Sequence, residues 1–292
     1  MIKVTILIPT YNQENFISDA IESALKQTYP NKEVLVVDDS TNDKTSKIVK
    51  KYNKNKSFRY IKNPKNLGRV RNYRNALYNH AKGDYVINLD GDDYLTNDKF
   101  IENAVALIEK YNPAFVFGNI IRLDESTGEK LIYPVNKNLP TLLDGNDLFI
   151  NYSSYKYGLY HMAVLYNAEK AKSVGFYKHD ICSTDLESIL RLCLNNKISY
   201  LDEISGVWRI HTSNISQNLP VEKAINNTKA FIYPYEAAEK LGIFKKFDLK
   251  AFKQRNLWNQ TKDIICRYIK SYKFWDLLSF LLEVSMKFNK NR

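Results

Sequence analysis

A chain of 292 residues, 44% hydrophobic and 13% aromatic, has the material for one large folded unit and is neither a disordered tail nor a fibrous repeat. Its formal net charge of +11 points to an anionic partner. Its three cysteines, Cys182, Cys193 and Cys266, lie far apart without CxxC spacing, which argues against a disulfide framework or a zinc site and fits a reducing compartment.

The apolar run ahead of Pro9 is too short for a signal-peptide core, and no run approaches the roughly 18 apolar residues of a membrane span. The expectation is a cytoplasmic protein. VTILIP (4–9) reads as a buried strand, followed by a helix over 14–26 with Phe16, Ile17, Ala20, Ile21, Ala24 and Leu25 on one face. EVLVVDD (33–39) is a second strand. A helix follows over 41–52, with Ser40 or Thr41 as its cap. FRYI (58–61) is a short strand, 70–81 a helix, DYVINLD (84–90) a strand, 98–111 a helix and AFVFGN (114–119) a strand. This alternation predicts an α/β fold, a mostly parallel sheet flanked by helices. Residues 125–160 read as irregular and Tyr-rich, and the chain beyond about 220 as helical with many Lys.

In such sheets ligands bind beyond the carboxyl ends of the strands. Three polar stretches fall there: Pro9-Thr10-Tyr11-Asn12, Asp38-Asp39-Ser40, and Asp90-Gly91-Asp92-Asp93. Each alone reads as turn chemistry; together they predict one crevice. Carboxylates as close as Asp90, Asp92 and Asp93 raise one another's cost of ionisation. A hard divalent cation, Mn2+ or Mg2+, resolves that by taking oxygen ligands and bridging to a diphosphate. The other use of paired carboxylates is acid/base chemistry. Gly91 lets the chain turn tightly and a ligand come close. A GxGxxG after the first strand and a GxxxxGK[ST] are both missing, which argues against a dinucleotide site and a P-loop.

The segments VTILIPTYNQENFISDAIESALKQTYPNKEVLVVDDSTND, NLGRVRNYRNAL and GDYVINLDGDDYL, in that order and spacing, resemble the N-terminal half of glycosyltransferase family 2 enzymes. The match runs over about 2–120 and more weakly to about 217. The resemblance implies the GT-A fold, with a catalytic domain over 1–217 (a nucleotide half 1–120, an acceptor half 121–217) and a basic helical region over 218–292. It implies inverting sugar transfer from a nucleotide-diphosphate sugar, a UDP-sugar, to a glycan or lipid-linked acceptor of a bacterial surface polysaccharide.

Carried over residue by residue, Pro9, Thr10, Tyr11 and Asn12 border the nucleotide base, and Asp38 or Asp39 accepts its N–H. Gly68 and Arg69 lie near base and diphosphate; Arg69 faces phosphate or is a surface charge. Asp90 sits near ribose and metal and Asp92 binds the metal, while Asp93 supports the loop. The family's Glu-Asp pair, with an Arg about six positions on, corresponds to Thr184-Asp185 and Arg191. Asp185 is then the catalytic base, with Glu187 as the rival; Asp185 also reads as a helix cap, on a helix to about Asn196. In VWRIHTSNIS (207–216), His211 would contact metal or diphosphate and Arg209 would support it. Tyr152, Tyr155, Tyr157 and Tyr160 offer aromatic faces to sugars, and His161 and Met162 fall where the family varies with acceptor.

Thirteen Lys and Arg against four Asp and Glu place +9 of the net charge in residues 240–292. Phe274, Leu277, Leu278, Leu281, Val284 and Phe288 share one helical face there, which packs on the catalytic domain, pairs two subunits as a homodimer, or docks peripherally on the inner face of the cytoplasmic membrane. No nucleic-acid-binding motif accompanies the charge, so no nucleic acid partner is expected. Two other functions fit parts of this pattern: a nucleotidyltransferase making nucleotide-sugars, which would want a Gly-rich basic loop after the first strand, and a non-catalytic membrane-associated scaffold.

Overall fold

The computed structural model describes residues 1–133, 139–153, 158–214, 219–270 and 276–281. Its strands are β1 (Val4–Thr10), β2 (Lys32–Asp38), β3 (Phe58–Lys62), β4 (Tyr85–Asn88), β5 (Tyr94–Leu95), β6 (Phe115–Asp124), β7 (Lys130–Tyr133), β8 (Leu142–Asp144), β9 (Val164–Asn167) and β10 (Lys197–Ile210). The helices are α1 (Ile17–Lys26), α2 (Lys44–Val49), α3 (Arg69–Asn75), α4 (Phe100–Tyr111), α5 (Gly145–Ile150), α6 (Ala168–Ser173), α7 (Thr184–Cys193), α8 (Val221–Asn227), α9 (Lys229–Leu241) and α10 (Lys246–Lys270).

The sheet runs β3-β2-β1-β4-β9-β6-β10-β5, with β7 beside β6 and β8 beside β10. The first four strands are parallel. β9 is antiparallel to both β4 and β6, so it joins the parallel N-terminal half to a second half in which β6 and β10 are again parallel. β1 is buried along its whole length because helices cover both faces of the sheet. Val4, Ile6 and Ile8 point to the layer of α1 and α4, against Ile17, Ala20, Ile21, Phe100, Ile101 and Ala104. Leu7 points the other way, into a core that includes Phe115, Phe117, Tyr166 and Phe176.

The C-terminal helices belong to that second core. Phe231 of α9 and Phe252 of α10 are buried in it, and the Phe252 ring stacks on Phe149 at 4.3 Å between centroids. A smaller cluster joins Leu219, Ala224 and Ile225 to Ile264, Tyr268 and Phe280. The described helices α9 and α10 of the basic region are therefore packed on the second core of the sheet. The 274–288 face lies mostly outside the described residues; of it Leu277 is partly buried, while Leu278 and Leu281 are each 41% exposed.

Several boundaries differ from the pattern reading. α1 begins at Ile17, which frees Phe16 to stack on His211 at 4.8 Å. α2 begins at Lys44 without a side-chain cap, because the Ser40 hydroxyl instead accepts the Asn12 N–H at 2.9 Å. The stretch read as irregular holds β7, β8 and α5, and α7 ends at Cys193 before the 14-residue β10.

Replacing Phe252 by Ala should cost about 3–5 kcal/mol of stability, the usual range for deleting a buried aromatic side chain. Denaturant unfolding of the whole chain measures it; a loss under about 1 kcal/mol would mean that α10 lies off the core.

Candidate active site

The ends of β1, β2 and β4 converge on one cavity of about 940 Å³. Pro9, Thr10 and Tyr11 line it, and Tyr11 is half exposed there. Asn12 does not line it: at φ 52° it turns the chain away, and its side-chain carbonyl accepts the Asn42 amide at 3.0 Å. The two acids after β2 separate. Asp38 is fully buried, holding the Tyr60 hydroxyl at 2.8 Å and the Ser40 N–H at 2.9 Å, and is not a cavity residue. Asp39 lines the cavity and accepts the Leu67 N–H (2.8 Å), the Gly68 N–H (2.9 Å) and the Asn63 amide (2.8 Å). It thereby pins the loop before α3 to the end of β2.

Gly68 takes φ 85° there, a conformation that L side chains rarely adopt. Arg69, the first residue of α3, does not hold out a free guanidinium. Its Nη2 donates to the carbonyls of Ile181 (3.0 Å) and Cys182 (2.6 Å). Arg69 also lines the cavity, and through these bonds it straps the loop before α3 to the segment entering α7.

Beyond β4, Asp90, Asp92 and Asp93 bring carboxylate oxygens within 4.8 Å of one another. Each has different partners. Asp90 accepts the Tyr73 hydroxyl at 2.7 Å and meets His161 Nε2 at 3.1 Å. Burial opposes its ionisation, but His161, Tyr73 and Arg69 outweigh that and hold its carboxyl below the ordinary range. Asp92 meets His211 Nε2 at 3.0 Å and the Asn214 amide at 3.3 Å. Asp93 accepts the Arg209 backbone N–H at 2.9 Å, and burial with the charges of Asp92 and Asp90 pushes its carboxyl well above the ordinary range. A cation in the cluster would offset that repulsion. The carboxylate oxygens are a donor set suited to Mn2+ or Mg2+.

Gly91 has a different reason from the one its sequence suggests. A Cβ there would sit 2.6 Å from Gln13 Oε1 and 2.8 Å from Thr10 Oγ1, so the glycine lets the acidic loop pack on the loop after β1. The Arg209 side chain pairs with Asp19 and Glu125 and lies over the Tyr94 ring at 4.4 Å. Its backbone N–H bonds the cluster, and its charge favours the ionised form of Asp93.

The rival bases resolve by environment. Glu187 is fully buried, with Arg191 Nη2 donating at 3.0 Å, Arg191 Nε paired to its other oxygen, and His179 Nδ1 at 3.1 Å. Arg191 also donates to the Gly175 carbonyl, so it serves this buried pair and not the cavity. Asp185 lines the cavity and has no hydrogen-bond partner among the described residues. It is not a cap: Ser183 precedes α7, Thr184 opens it, and Asp185 lies in the first turn, where the helix dipole favours an anion. The segment ahead of it is held from a second side, since Asn227 accepts the Ser183 N–H at 2.7 Å and Gln260 donates to the Asn227 carbonyl at 3.0 Å.

Tyr73 is a site residue that the sequence did not reveal, and His161, expected only as an acceptor-dependent position, stands with it against Asp90. Their contacts span 17 and 71 positions and form no local motif. The cavity face of α10, with Asn256, Gln260, Asp263, Ile264 and Arg267, also carried no signal beyond amphipathicity. Tyr152 and Tyr160 line the cavity, whereas Tyr155 and Tyr157 lie outside the described residues.

The family model described as "Glycosyl transferase family 2" matches residues 5–162, more than half of the chain. The chain belongs to glycosyl transferase family 2. An uncharacterized glycosyltransferase of Haemophilus influenzae is 28% identical over 250 residues, covering 83% of this chain and 91% of that protein. The poly(ribitol-phosphate) beta-N-acetylglucosaminyltransferase TarS of Staphylococcus aureus is 34% identical over 114 residues, 38% of this chain, but the match spans only 20% of TarS. The crystal structure of TarS 1–349 with UDP-GlcNAc superimposes with a TM-score of 0.61 at 19% identity, covering 99% of this chain and 92% of that one. A mannosyltransferase of Pyrobaculum calidifontis, solved with GDP-Man and Mn2+, gives 0.59 at 16% identity, covering 98% and 86%. These likenesses show the GT-A fold. Family membership sets aside the nucleotidyltransferase reading.

Glu187→Gln should destabilise the protein by about 3 kcal/mol or more, because it leaves Arg191 buried without its counter-ion. Asp185→Asn should change stability by less than about 0.5 kcal/mol. Thermal unfolding of the two variants side by side checks the assignment; equal losses would remove the structural distinction between the two acids.

Proposed function

We propose that this glycosyltransferase moves a sugar, with inversion, from a UDP-sugar to a hydroxyl of a glycan or lipid-linked acceptor in bacterial surface polysaccharide synthesis. The observation that carries this reading is the Asp185 carboxylate, without a hydrogen-bond partner among the described residues and lining the same cavity as the Asp90, Asp92 and Asp93 cluster. The TarS complex with UDP-GlcNAc supports UDP as the nucleotide, and the TarS name supports a surface-polymer acceptor.

In this reading the nucleotide half is 1–120. Pro9, Thr10, Tyr11, Asp39 and Gly68 contact the base and ribose, and Asp90 the ribose. The acceptor half, 121–217, is completed by α8–α10, whose residues line the cavity. Asp92, Asp90 and His211 would hold Mn2+ or Mg2+, and the chemistry such an ion supplies is neutralisation of the charge gathering on the departing diphosphate. Asp93 keeps the acidic loop on the Arg209 backbone.

The reaction is one displacement. Asp185 takes the proton of the acceptor hydroxyl as that oxygen bonds to the anomeric carbon. The bond from that carbon to the diphosphate oxygen breaks, and UDP leaves with the electron pair. Attack from the face opposite the leaving group inverts the configuration. No covalent enzyme intermediate forms. His161 and Tyr73 hold Asp90 in place throughout.

Asp92→Ala should abolish Mn2+-dependent UDP binding in calorimetric titration, with EDTA doing the same to the unaltered protein. Asp185→Asn should bind UDP as before yet transfer sugar about 10²–10⁴-fold more slowly. Binding of GDP in preference to UDP would overturn the donor, and unimpaired transfer by Asp185→Asn would overturn the base.

A further inference from the structure

The helix α10 has two opposed faces. Toward the cavity it turns Asn256, Gln260, Asp263, Ile264 and Arg267. Away from it, Phe247, Trp258 and Ile269 are exposed by 81%, 67% and 58%. Their positions are 11 apart, close to three whole turns, so they form a single line down the helix with about 16 Å between neighbours. Basic residues flank this line: exposed Lys246 and Lys250 on one side, exposed Arg255 and Lys262 on the other. Asp248 is an exposed carboxylate at its N-terminal end. Each alone is an ordinary surface residue; what distinguishes this face is that all three share one line between basic flanks.

We propose that the outer face of α10 lies in the headgroup layer of an anionic lipid membrane. Phe247, Trp258 and Ile269 then enter the boundary between headgroups and acyl chains, and the flanking Lys and Arg rest on lipid phosphates. Charge complementarity selects this occupant. Residues 240–292 hold thirteen Lys and Arg against four Asp and Glu, most of the +11 of the whole chain. A second copy of the chain on the same stripe would set basic flank against basic flank, which repel. No helix among the described residues is long and apolar enough to cross a membrane, so the contact is a peripheral one.

The inference deepens the transferase reading and rests on it in one respect. Because the opposite face of this helix lines the cavity, a membrane at the outer face brings a lipid-held acceptor beside the chamber that contains Asp185.

Flotation of the full chain with vesicles tests the proposal. Vesicles of phosphatidylglycerol mixed with phosphatidylcholine should carry the protein, and added salt should weaken the association. Pure phosphatidylcholine should carry little. The combined substitution Phe247→Ser, Trp258→Ser and Ile269→Ser should lower binding by about tenfold or more, with unfolding temperature and UDP affinity unchanged. The pair Lys250→Glu and Lys262→Glu should lower it without touching the apolar stripe. Undiminished binding by both variants would overturn the proposal. So would failure of the unaltered protein to bind, or a dimer in lipid-free solution that the triple substitution converts to a monomer. Lipid binding that depends on the stripe, in a protein that binds no nucleotide, would overturn the transferase reading and leave the membrane face standing.

Discussion

Three carboxylates packed within 4.8 Å at the end of a parallel strand are an electrostatic problem that the surrounding structure solves. Each is given a separate set of donors. His161 and Tyr73 serve Asp90, His211 and Asn214 serve Asp92, and the Arg209 amide serves Asp93. These donors come from α3, from the turn before β9, from the end of β10 and from the segment after it. The acidic loop therefore has its geometry only when the second half of the sheet is in place. Gly91 adds the remaining constraint by letting that loop press on Thr10 and Gln13.

A second constraint concerns the segment 181–183, which delivers Asp185 to the cavity. Arg69 grips its carbonyls from the donor side, and Asn227 grips Ser183 from the C-terminal helices. Asp39 in turn fixes the loop from which Arg69 springs. One chain of hydrogen bonds thus runs from the end of β2 through α3 to α7, and another from α10 through Asn227 to the same place. The first joins the loop that Asp39 holds to the segment that carries Asp185. The second explains why the helical region shares a core with the rest: helices loosely tethered could not place Asn227 against Ser183.

The parallel half of the fold was legible because its signals are local. Strands covered on both faces read as unbroken apolar runs, and their connecting helices show a one-sided stripe. β10 escaped notice because register shifts near Ile204 break its alternation, and Asp202 and Glu203 sit in its middle. β9 is only four residues long, and its identity depends on the two strands it bridges. The same division holds in the site. Asp90, Asp92 and Asp93 stand together in sequence, whereas His161 reaches Asp90 across 71 positions. Asp185 and Glu187 could not be ranked by spacing; what separates them is that Arg191 and His179 occupy Glu187 in a buried pocket. The carbonyl partners of Arg69 lie more than 100 positions away, so its role as a strap was not legible locally.

The distribution of charge follows from the same architecture. A diphosphate and a cluster of carboxylates need compensating cations close by, yet the excess of Lys and Arg lies in the C-terminal region. Near the site Arg69 and Arg209 hold protein partners, Arg191 serves the buried Glu187, and Arg267 lines the cavity. α10 serves both sides at once, with amides and Arg267 turned inward and an aromatic line between basic flanks turned outward. That a single helix forms both the cavity wall and the outer surface ties the position of the chamber to whatever that surface rests on.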